Sequence, residues 1–167
     1  MEQQSQAGAL LEEAALTEDR AFALDVLART LWGEARGEGE TGQKAVAAVI
    51  CTRVMRGARY QAKWGTPHPL FGDGTFKQAC LRPRQFSCWN AGDPNLPKMK
   101  ALNLTDPALA GLLRIAEDAV DGRIIDPTGG ATHYLTKAAY DKVAADHWCR
   151  TKPSIWQHGN HLFFKDP

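Results

Sequence analysis

The residues best suited to chemistry are three carboxylates in the stretch RTLWGEARGEGETGQKAVAAV, residues 29–49. Glu34, Glu38 and Glu40 alternate with glycines between two runs that have the apolar spacing of helices. Glu34 follows Leu31 by three residues, which places it at the edge of the apolar stripe of the first helix. A partly desolvated carboxyl group favours its protonated form and can act as a general acid. The same acids are also typical of a solvated turn, so position alone leaves both interpretations open.

The composition predicts one globular domain. Of the 167 residues, 44% are hydrophobic and 23% are charged, which are ordinary values for a chain that folds around its own core. The formal net charge of +1 sets up no strong field that would recruit nucleic acid. No apolar run approaches the roughly 20 residues of a membrane-spanning helix. We therefore expect a monomer that binds no nucleic acid and has no integral membrane segment.

Two amphipathic helices flank the glycine-rich link. The first is predicted to begin after Thr17 or Asp19, either of which can act as N-cap, and to end near Gly37. The second begins directly after the link, and Gly57 is expected to terminate it. Residues 1–16 are rich in Ala and Glu and are predicted to be a tail, so the folded domain is expected to occupy residues 17–167.

The rest of the chain is predicted to contain one more well-marked helix and some short strands. Asp106 as N-cap, Pro107 at the first helical position and Gly122 after the last one mark the helix. Residues 57–105, rich in proline and aromatic residues, are expected to be irregular and to bind ligand or form a lid. The extended segments are ATHYL (131–135) and GNHLFF (159–164). Together these elements predict an α+β domain that is mostly helical.

Four separated segments together resemble the signature segments of the SleB/CwlJ-type cell wall hydrolases, a family that includes spore-cortex-lytic enzymes and phage lysins. They are LARTLWGEARGEGETGQKAVAAVICTRV (27–54), RQFSCWNAG (84–92), ATHYLT (131–136) and HGNHLFF (158–164). Four such segments in this order indicate the family more specifically than any one segment does alone. The resemblance implies an α+β, predominantly helical, lysozyme-like single domain, related to goose-type lysozymes and resuscitation-promoting factors.

The resemblance also implies an activity: cleavage of the β-1,4 bond between N-acetylmuramic acid and N-acetylglucosamine in peptidoglycan, with Glu34 as the catalytic acid. Many glycosidases need a second carboxylate. The candidates are Glu38, Glu40, Asp93 and Asp126, and the sequence places none of them across the scissile bond. We therefore favour a lytic transglycosylase, in which one Glu suffices because the C6 hydroxyl of muramic acid is the nucleophile, over a muramidase of the lysozyme type.

The other motif residues are expected to form the substrate groove. Amide and hydroxyl groups can bind acetamido and hydroxyl groups of a glycan, and aromatic faces can stack on sugar rings. No cofactor and no metal are expected, because the histidines and cysteines show no zinc-ligand spacing. A disulfide between Cys80 and Cys88 is expected only if the protein reaches an oxidising compartment. The predicted substrate-binding residues are Glu38, Gln85, Phe86, Ser87, Trp89, His133 and Tyr134.

Three rival functions stay open at this stage. Cys88 with His133 could form the nucleophilic pair of a peptidoglycan amidase or endopeptidase. A zinc hydrolase could draw on the histidines, and a noncatalytic wall-binding module would keep the fold without turnover. The sequence shows no basic region followed by a long apolar one at its start. We therefore expect synthesis in the cytoplasm and action on the cell wall or in the periplasm after release, as a phage-type endolysin or as part of a phage-derived particle.

Overall fold

The computed structural model describes residues 18–166, together with the single positions Gln6 and Ala9. The predicted tail, apart from those two positions, and the candidate cap Thr17 lie outside the described residues. In chain order the elements are α1 (Arg20–Ala35), α2 (Glu40–Trp64), α3 (Phe76–Leu81), a 3₁₀ helix (Ser87–Trp89), α4 (Leu96–Ala101), α5 (Pro107–Val120), β1 (His133–Thr136), α6 (Lys137–Asp141), α7 (Trp148–Thr151), β2 (Trp156–His158) and β3 (His161–Phe164).

Helix α1 begins and ends close to the predicted positions. Asp19 is its N-cap, and the Asp19 side chain accepts a hydrogen bond of 2.9 Å from the backbone N–H of Ala21. The chain leaves the helix after Ala35, where the N–H of Glu38 still donates to the Ala35 carbonyl at 2.9 Å. The buried side of α1 packs against α3 and α5, so its last turn is fixed relative to the core.

Helix α2 is longer than predicted, and the expectation that Gly57 ends it is wrong. Gly57 lies inside the helix, where a Cβ atom would come within 2.9 Å of the Gly72 carbonyl oxygen and of the Gly74 nitrogen. The glycine is there because another loop packs directly on the helix backbone. The helix instead ends at Gly65, which has φ of 70° and donates its N–H to the Gln61 carbonyl.

Helix α5 agrees with its predicted ends. The Asp106 side chain accepts from the N–H of Ala108 at 2.9 Å, Pro107 occupies the first turn, and the helix ends at Val120. The segment expected to be irregular contains the end of α2 and the short helices α3 and α4 as well as loops. Cys80 and Cys88, in this segment, are free buried thiols, so the structure contains no disulfide between them.

A three-stranded antiparallel sheet forms the other side of the molecule. The strand order is β1-β3-β2, and the register pairs Tyr134 with Phe163 and Trp156 with Phe163. β1 and β3 occupy the two segments predicted to be extended, whereas the three-residue strand β2 was missed because it is too short to show alternation. Phe163 packs on α2 through Ala45 and Val49, which fixes the sheet against the helices. The predicted α+β, predominantly helical architecture is confirmed.

None of the helices described over residues 18–166 is both long and apolar enough to cross a membrane.

Candidate active site

The last turn of α1 presents the Glu34 carboxylate to two other parts of the chain. The backbone N–H of Cys88 donates to Oε1 at 3.0 Å, and the Ser87 hydroxyl lies 3.5 Å from the same oxygen. The Tyr134 hydroxyl donates to Oε2 at 3.0 Å. The donors follow Glu34 by 53 to 100 residues, so three of the four motif segments meet at one half-buried carboxylate.

The 3₁₀ helix can approach Glu34 because of Gly33. A Cβ atom at Gly33 would lie 2.7 Å from the Cys88 Sγ, closer still to the Cys88 Cβ, and 3.1 Å from the Met99 Sδ. The indole N–H of Trp89 adds a second attachment to α1, since it donates to the Thr30 hydroxyl at 2.9 Å. Sequence reasoning missed this role of Gly33. The one sequence feature that could have revealed this role is the position of Gly33 itself: a glycine directly before Glu34, inside a helical run, lowers helix propensity without ending the helix.

Tyr134 reaches Glu34 from the sheet. Its ring packs edge-on against His161, with 5.2 Å between ring centroids, and lies 5.7 Å from the ring of Phe163. Burial, together with the neighbouring Glu34 charge, raises the pKa of Tyr134 well above its ordinary value. The phenol therefore stays protonated and remains a hydrogen-bond donor to the carboxylate.

Glu38 contacts His161, which packs against the Tyr134 ring. Its Oε1 is 3.2 Å from the Nδ1 atom of His161, the residue that contacts the Tyr134 ring. A Cβ atom at Gly159, where φ is +53°, would come within 2.6 Å of the Glu38 Oε2, so this glycine leaves room for the carboxylate. Glu38 is thereby joined to the strand that carries His161, and its side chain is 19% exposed.

The other candidates for a second carboxylate have local roles. Glu40 forms an ion pair with Lys44 at 2.6 Å and is 71% exposed. Asp93 accepts from the N–H of Asn95 at 2.8 Å, and Asp126 binds the N–H groups of a turn, that of Gly130 at 2.7 Å. Of the four candidates, Glu38 is the one that the structure joins to the surroundings of Glu34 through Tyr134 and His161.

The sequence model of a family described as cell wall hydrolase matches residues 37–164. The matched part includes the 3₁₀ helix and both strands that flank the site, and it begins three residues after Glu34. The chain belongs to the cell wall hydrolase family.

Spore cortex-lytic enzymes are among the relatives of this chain. The one from Oceanobacillus iheyensis is 32% identical over 146 residues, which is 85% of this chain and 41% of the relative. The one from Bacillus cereus is 30% identical over 146 residues, which is 85% of this chain and 44% of the relative. The chain thus spans less than half the length of these curated relatives.

Two solved structures share the fold of this chain. The catalytic domain of the Bacillus cereus SleB protein has a TM-score of 0.58 and 28% identity, covering 86% of this chain and 89% of that one. The catalytic domain of the germination-specific lytic transglycosylase SleB from Bacillus anthracis has a TM-score of 0.56 and 28% identity, covering 89% of this chain and 96% of that one. The predicted lysozyme-like fold is confirmed by these neighbours.

The predicted groove residues lie in different surroundings in the structure. Ser87 lies beside Glu34, and Gln85 and His133 line a neighbouring pocket. Phe86 is 2% exposed and belongs to the core, so the prediction that its face binds a sugar is corrected. An aromatic residue in a loop favoured a ligand contact, but its ring packs below the guanidinium of Arg53.

The rival cysteine mechanism has little support in the geometry. Cys88 is 2% exposed, and burial followed by the Glu34 charge raises the pKa of its thiol, which disfavours a nucleophilic thiolate. The Nδ1 of His133 pairs with the Thr132 hydroxyl at 2.9 Å rather than with Cys88. Among residues 18–166, the His, Cys, Asp and Glu side chains form no group of three that could hold a metal ion.

Proposed function

We propose that the protein cleaves the glycan strand of peptidoglycan at the β-1,4 bond between N-acetylmuramic acid and N-acetylglucosamine, with Glu34 as the catalytic acid. The observation that carries the proposal is the arrangement of donors around Glu34, from the Cys88 backbone and the Tyr134 hydroxyl. Within residues 18–166 no Lys, Arg or His forms an ion pair with this carboxylate. Its remaining lone pairs can therefore hold the proton that a leaving oxygen needs.

The proposed reaction has two proton transfers at Glu34. In the first, the protonated carboxyl group gives its proton to the glycosidic oxygen as the bond from C1 of muramic acid breaks. In the second, the Glu34 carboxylate takes the proton of the C6 hydroxyl of the same sugar while O6 bonds to C1, which closes a 1,6-anhydro ring. Between the steps, the N–H of Cys88 and the hydroxyl of Tyr134 stabilise the negative charge on Glu34.

We favour lytic transglycosylation over hydrolysis because it needs only one catalytic carboxylate, whereas hydrolysis commonly needs a second one. Glu40, Asp93 and Asp126 already have local partners, which leaves Glu38 as the one structural candidate for a water-activating base. Glu38 is itself in contact with His161. The structural neighbour from Bacillus anthracis is described as a germination-specific lytic transglycosylase, which supports the same choice.

Mass spectrometry of the soluble fragments released from purified peptidoglycan tests the proposal. We expect fragments that end in 1,6-anhydromuramic acid, lighter by one water than fragments with reducing ends. Glu34→Gln should keep the fold and lose activity by about a thousandfold or more, because proton delivery disappears. Glu40→Gln, an exposed carboxylate on the next helix, is the matched control and should stay active. A Glu34→Gln protein that digests at a tenth of the wild-type rate would contradict the role of Glu34.

Reducing-end fragments would select the muramidase reaction instead. Glu38→Gln then becomes the informative variant, since a water-activating base at Glu38 predicts a loss of about a hundredfold or more. Under transglycosylation the same variant changes the rate only through the contact of Glu38 with His161. Free stem peptides beside intact glycan would favour the amidase alternative.

The cellular role also belongs to the proposal. We infer a wall-lytic role of the phage endolysin type from the resemblance of the four motif segments to a family that includes phage lysins, whereas the curated relatives are spore cortex-lytic enzymes by name. Digestion of purified vegetative walls beside purified spore cortex distinguishes the two roles. Activity confined to cortex would contradict the lysin role and leave glycan cleavage intact.

A further inference from the structure

A pocket beside the proposed active site has no part in the reaction as described above. We call it the lateral pocket; it has a volume of about 360 Å³, at the lower end of the range for small-ligand sites. No carboxylate is among its lining residues, whereas two arginines are. The lining residues used here are Arg53, Arg84, Gln85, His133, Tyr134 and Trp148.

Arg53 is a buried charge with an incomplete set of partners. The residue is 3% exposed, and its Nε donates to the Thr132 carbonyl at 2.8 Å. Its buried Nη1 has no hydrogen-bond partner among the described residues, and its guanidinium carbon lies 4.9 Å from the centre of the Phe86 ring. A buried guanidinium normally has its donors satisfied and its charge paired. The wall of the lateral pocket thus includes a buried cation whose hydrogen bonds the described residues leave incomplete.

Arg84 supplies a second positive charge at an unusual backbone geometry. Its φ of 67° makes it the one non-glycine residue with positive φ in the described part of the chain. Such strain persists where the surrounding structure imposes it, and it occurs often at functional sites. Arg84 is exposed and forms no ion pair with residues 18–166. Ser87 and Cys88, which contact the Glu34 carboxylate, follow Arg84 by three and four residues.

The lateral pocket shares one side chain with the proposed catalytic site. Tyr134 lines the pocket and also donates its hydroxyl to Glu34. The pocket and the Glu34 carboxyl group are thus joined through one residue, and a substituent of a sugar ring bound at Glu34 is the group that we place in the pocket. Muramic acid carries such a substituent, because its lactyl ether ends in a carboxyl group that is either free or extended by the stem peptide.

We propose that the lateral pocket binds a carboxylate carried on the lactyl group of muramic acid, through Arg53 and Arg84. The inference rests on the proposed function and specifies the substrate form that the same site prefers. A carboxylate matches the planar donor arrangement of a guanidinium, and its charge pairs with the buried Arg53. The carboxylate can come from the lactyl group itself or from the stem peptide, and the probes below distinguish these sources.

The test measures binding to defined tetrasaccharides of alternating N-acetylglucosamine and N-acetylmuramic acid. The first probe has free lactyl carboxylates, the second has them converted to amides, and the third carries L-alanyl-D-glutamate on each. All proteins carry Glu34→Gln so that a probe stays intact, and Arg84→Gln is the pocket variant. Arg84 is the residue to change because it is exposed, whereas Arg53 packs against Phe71 and Phe86. Arg114→Gln, an exposed arginine on α5, is the matched control.

We expect the Glu34→Gln protein, and the same protein with the Arg114→Gln control substitution, to bind a carboxylate probe about tenfold or more tightly than the amide probe at low salt. Arg84→Gln should remove most of that preference while its affinity for the amide probe stays the same. Tight binding of the first probe assigns the lactyl carboxylate, and tight binding of the third probe alone assigns the stem peptide. Equal affinity for all three probes, an Arg84→Gln protein that keeps the preference, or no binding at all would overturn the proposal.

The two proposals fail in different measurements. Binding to these probes needs no turnover, so it reports on the lateral pocket even if Glu34 has no catalytic role. Conversely, wild-type protein that leaves peptidoglycan intact would contradict the proposed function whatever the probes show.

Discussion

On one side of the site, Glu34 is held by a backbone donor, the N–H of Cys88, 3.0 Å from Oε1. On the other side it is held by a side-chain donor, the Tyr134 hydroxyl, 3.0 Å from Oε2. We call the first, formed by α1 and the 3₁₀ helix, the helical side, and the second, formed by β1 and β3, the sheet side. The two distances are equal, yet the two sides depend on different features of the sequence.

On the helical side, the side chain of Cys88 does not supply the hydrogen bond to Glu34. The position of its N–H depends on how closely the 3₁₀ helix approaches α1, and this approach is possible because Gly33 has no Cβ. On the sheet side, the donor is a hydroxyl group that one substitution can remove, while the Tyr134 ring keeps its contacts with His161 and Phe163. The helical side is therefore sensitive to side-chain volume at position 33, and the sheet side is sensitive to the loss of the hydroxyl group at position 134.

Gly33→Ala tests the helical side and should have the larger effect. In a helix interior, alanine is normally more stable than glycine by up to about 1 kcal/mol. Here the added methyl group would meet Cys88 and Met99, so we expect a loss of about 1 to 3 kcal/mol in the free energy of unfolding. Displacement of the Cys88 N–H should also lower kcat by about a hundredfold. Denaturant unfolding and peptidoglycan digestion measure the two effects.

Gly37→Ala is the matched control, because a Cβ atom at Gly37 would meet nothing within 4 Å. This variant should keep both activity and stability. A Gly33→Ala protein that gains stability and keeps its activity would contradict the claim that volume at this position fixes the donor.

Tyr134→Phe tests the sheet side with no change in volume. The ring contacts remain and one hydrogen bond to Glu34 is lost, so we expect kcat to fall by about tenfold. KM should stay within about twofold, because the ring that lines the lateral pocket is retained. Tyr140→Phe, which removes a hydroxyl from a ring stacked on Phe164, is the control. An equal loss in both variants would show that the Tyr134 hydroxyl has no special relation to Glu34.

The two sides also differ in what the sequence could predict. Helix α1, with Glu34 in its last turn, follows from local signals: the Asp19 cap and the spacing of apolar residues. The position of Tyr134 opposite Glu34 depends on how the sheet packs on α2, which no local pattern encodes. The resemblance to known cell wall hydrolases supplied Tyr134 and Ser87 as candidates, but neither spacing nor composition did.

The residues that sequence reasoning misread are those whose role is a tertiary contact. Gly57 was expected to end α2, because a local pattern does not show that the loop at Gly72 and Gly74 packs on it. Arg53, in the middle of the same helix, was not noticed, because an arginine in a helix normally faces solvent. Gly33 was missed in the same way. Each of these positions gains its meaning from a partner at least 15 residues away in the chain.

A half-buried histidine, His133, gives the sheet side a pH dependence in stability. Burial, followed by the charge of Arg53, lowers the pKa of His133 to about 4 from its ordinary value of 6.5. The unfolded chain therefore binds a proton at this ring at a higher pH than the folded chain does. The contribution of His133 is neutral above about pH 7, and it increasingly favours the unfolded state as the pH falls from 6.5 toward 4.

His133→Asn should make the free energy of unfolding less dependent on pH. Other groups titrate in both proteins, so their effects cancel when the change between pH 7.5 and pH 4.5 is compared. We expect wild type to lose about 2 kcal/mol more than the variant over this range, after allowance for the partial exposure of the ring. Asn removes the contacts with Phe71 and Trp148 and lowers stability at every pH, so only the slope is informative. If the free energies of unfolding of the two proteins run parallel with pH, His133 binds a proton as readily in the folded chain as in the unfolded one. The sheet side would then differ from the helical side only in the kind of group that donates to Glu34.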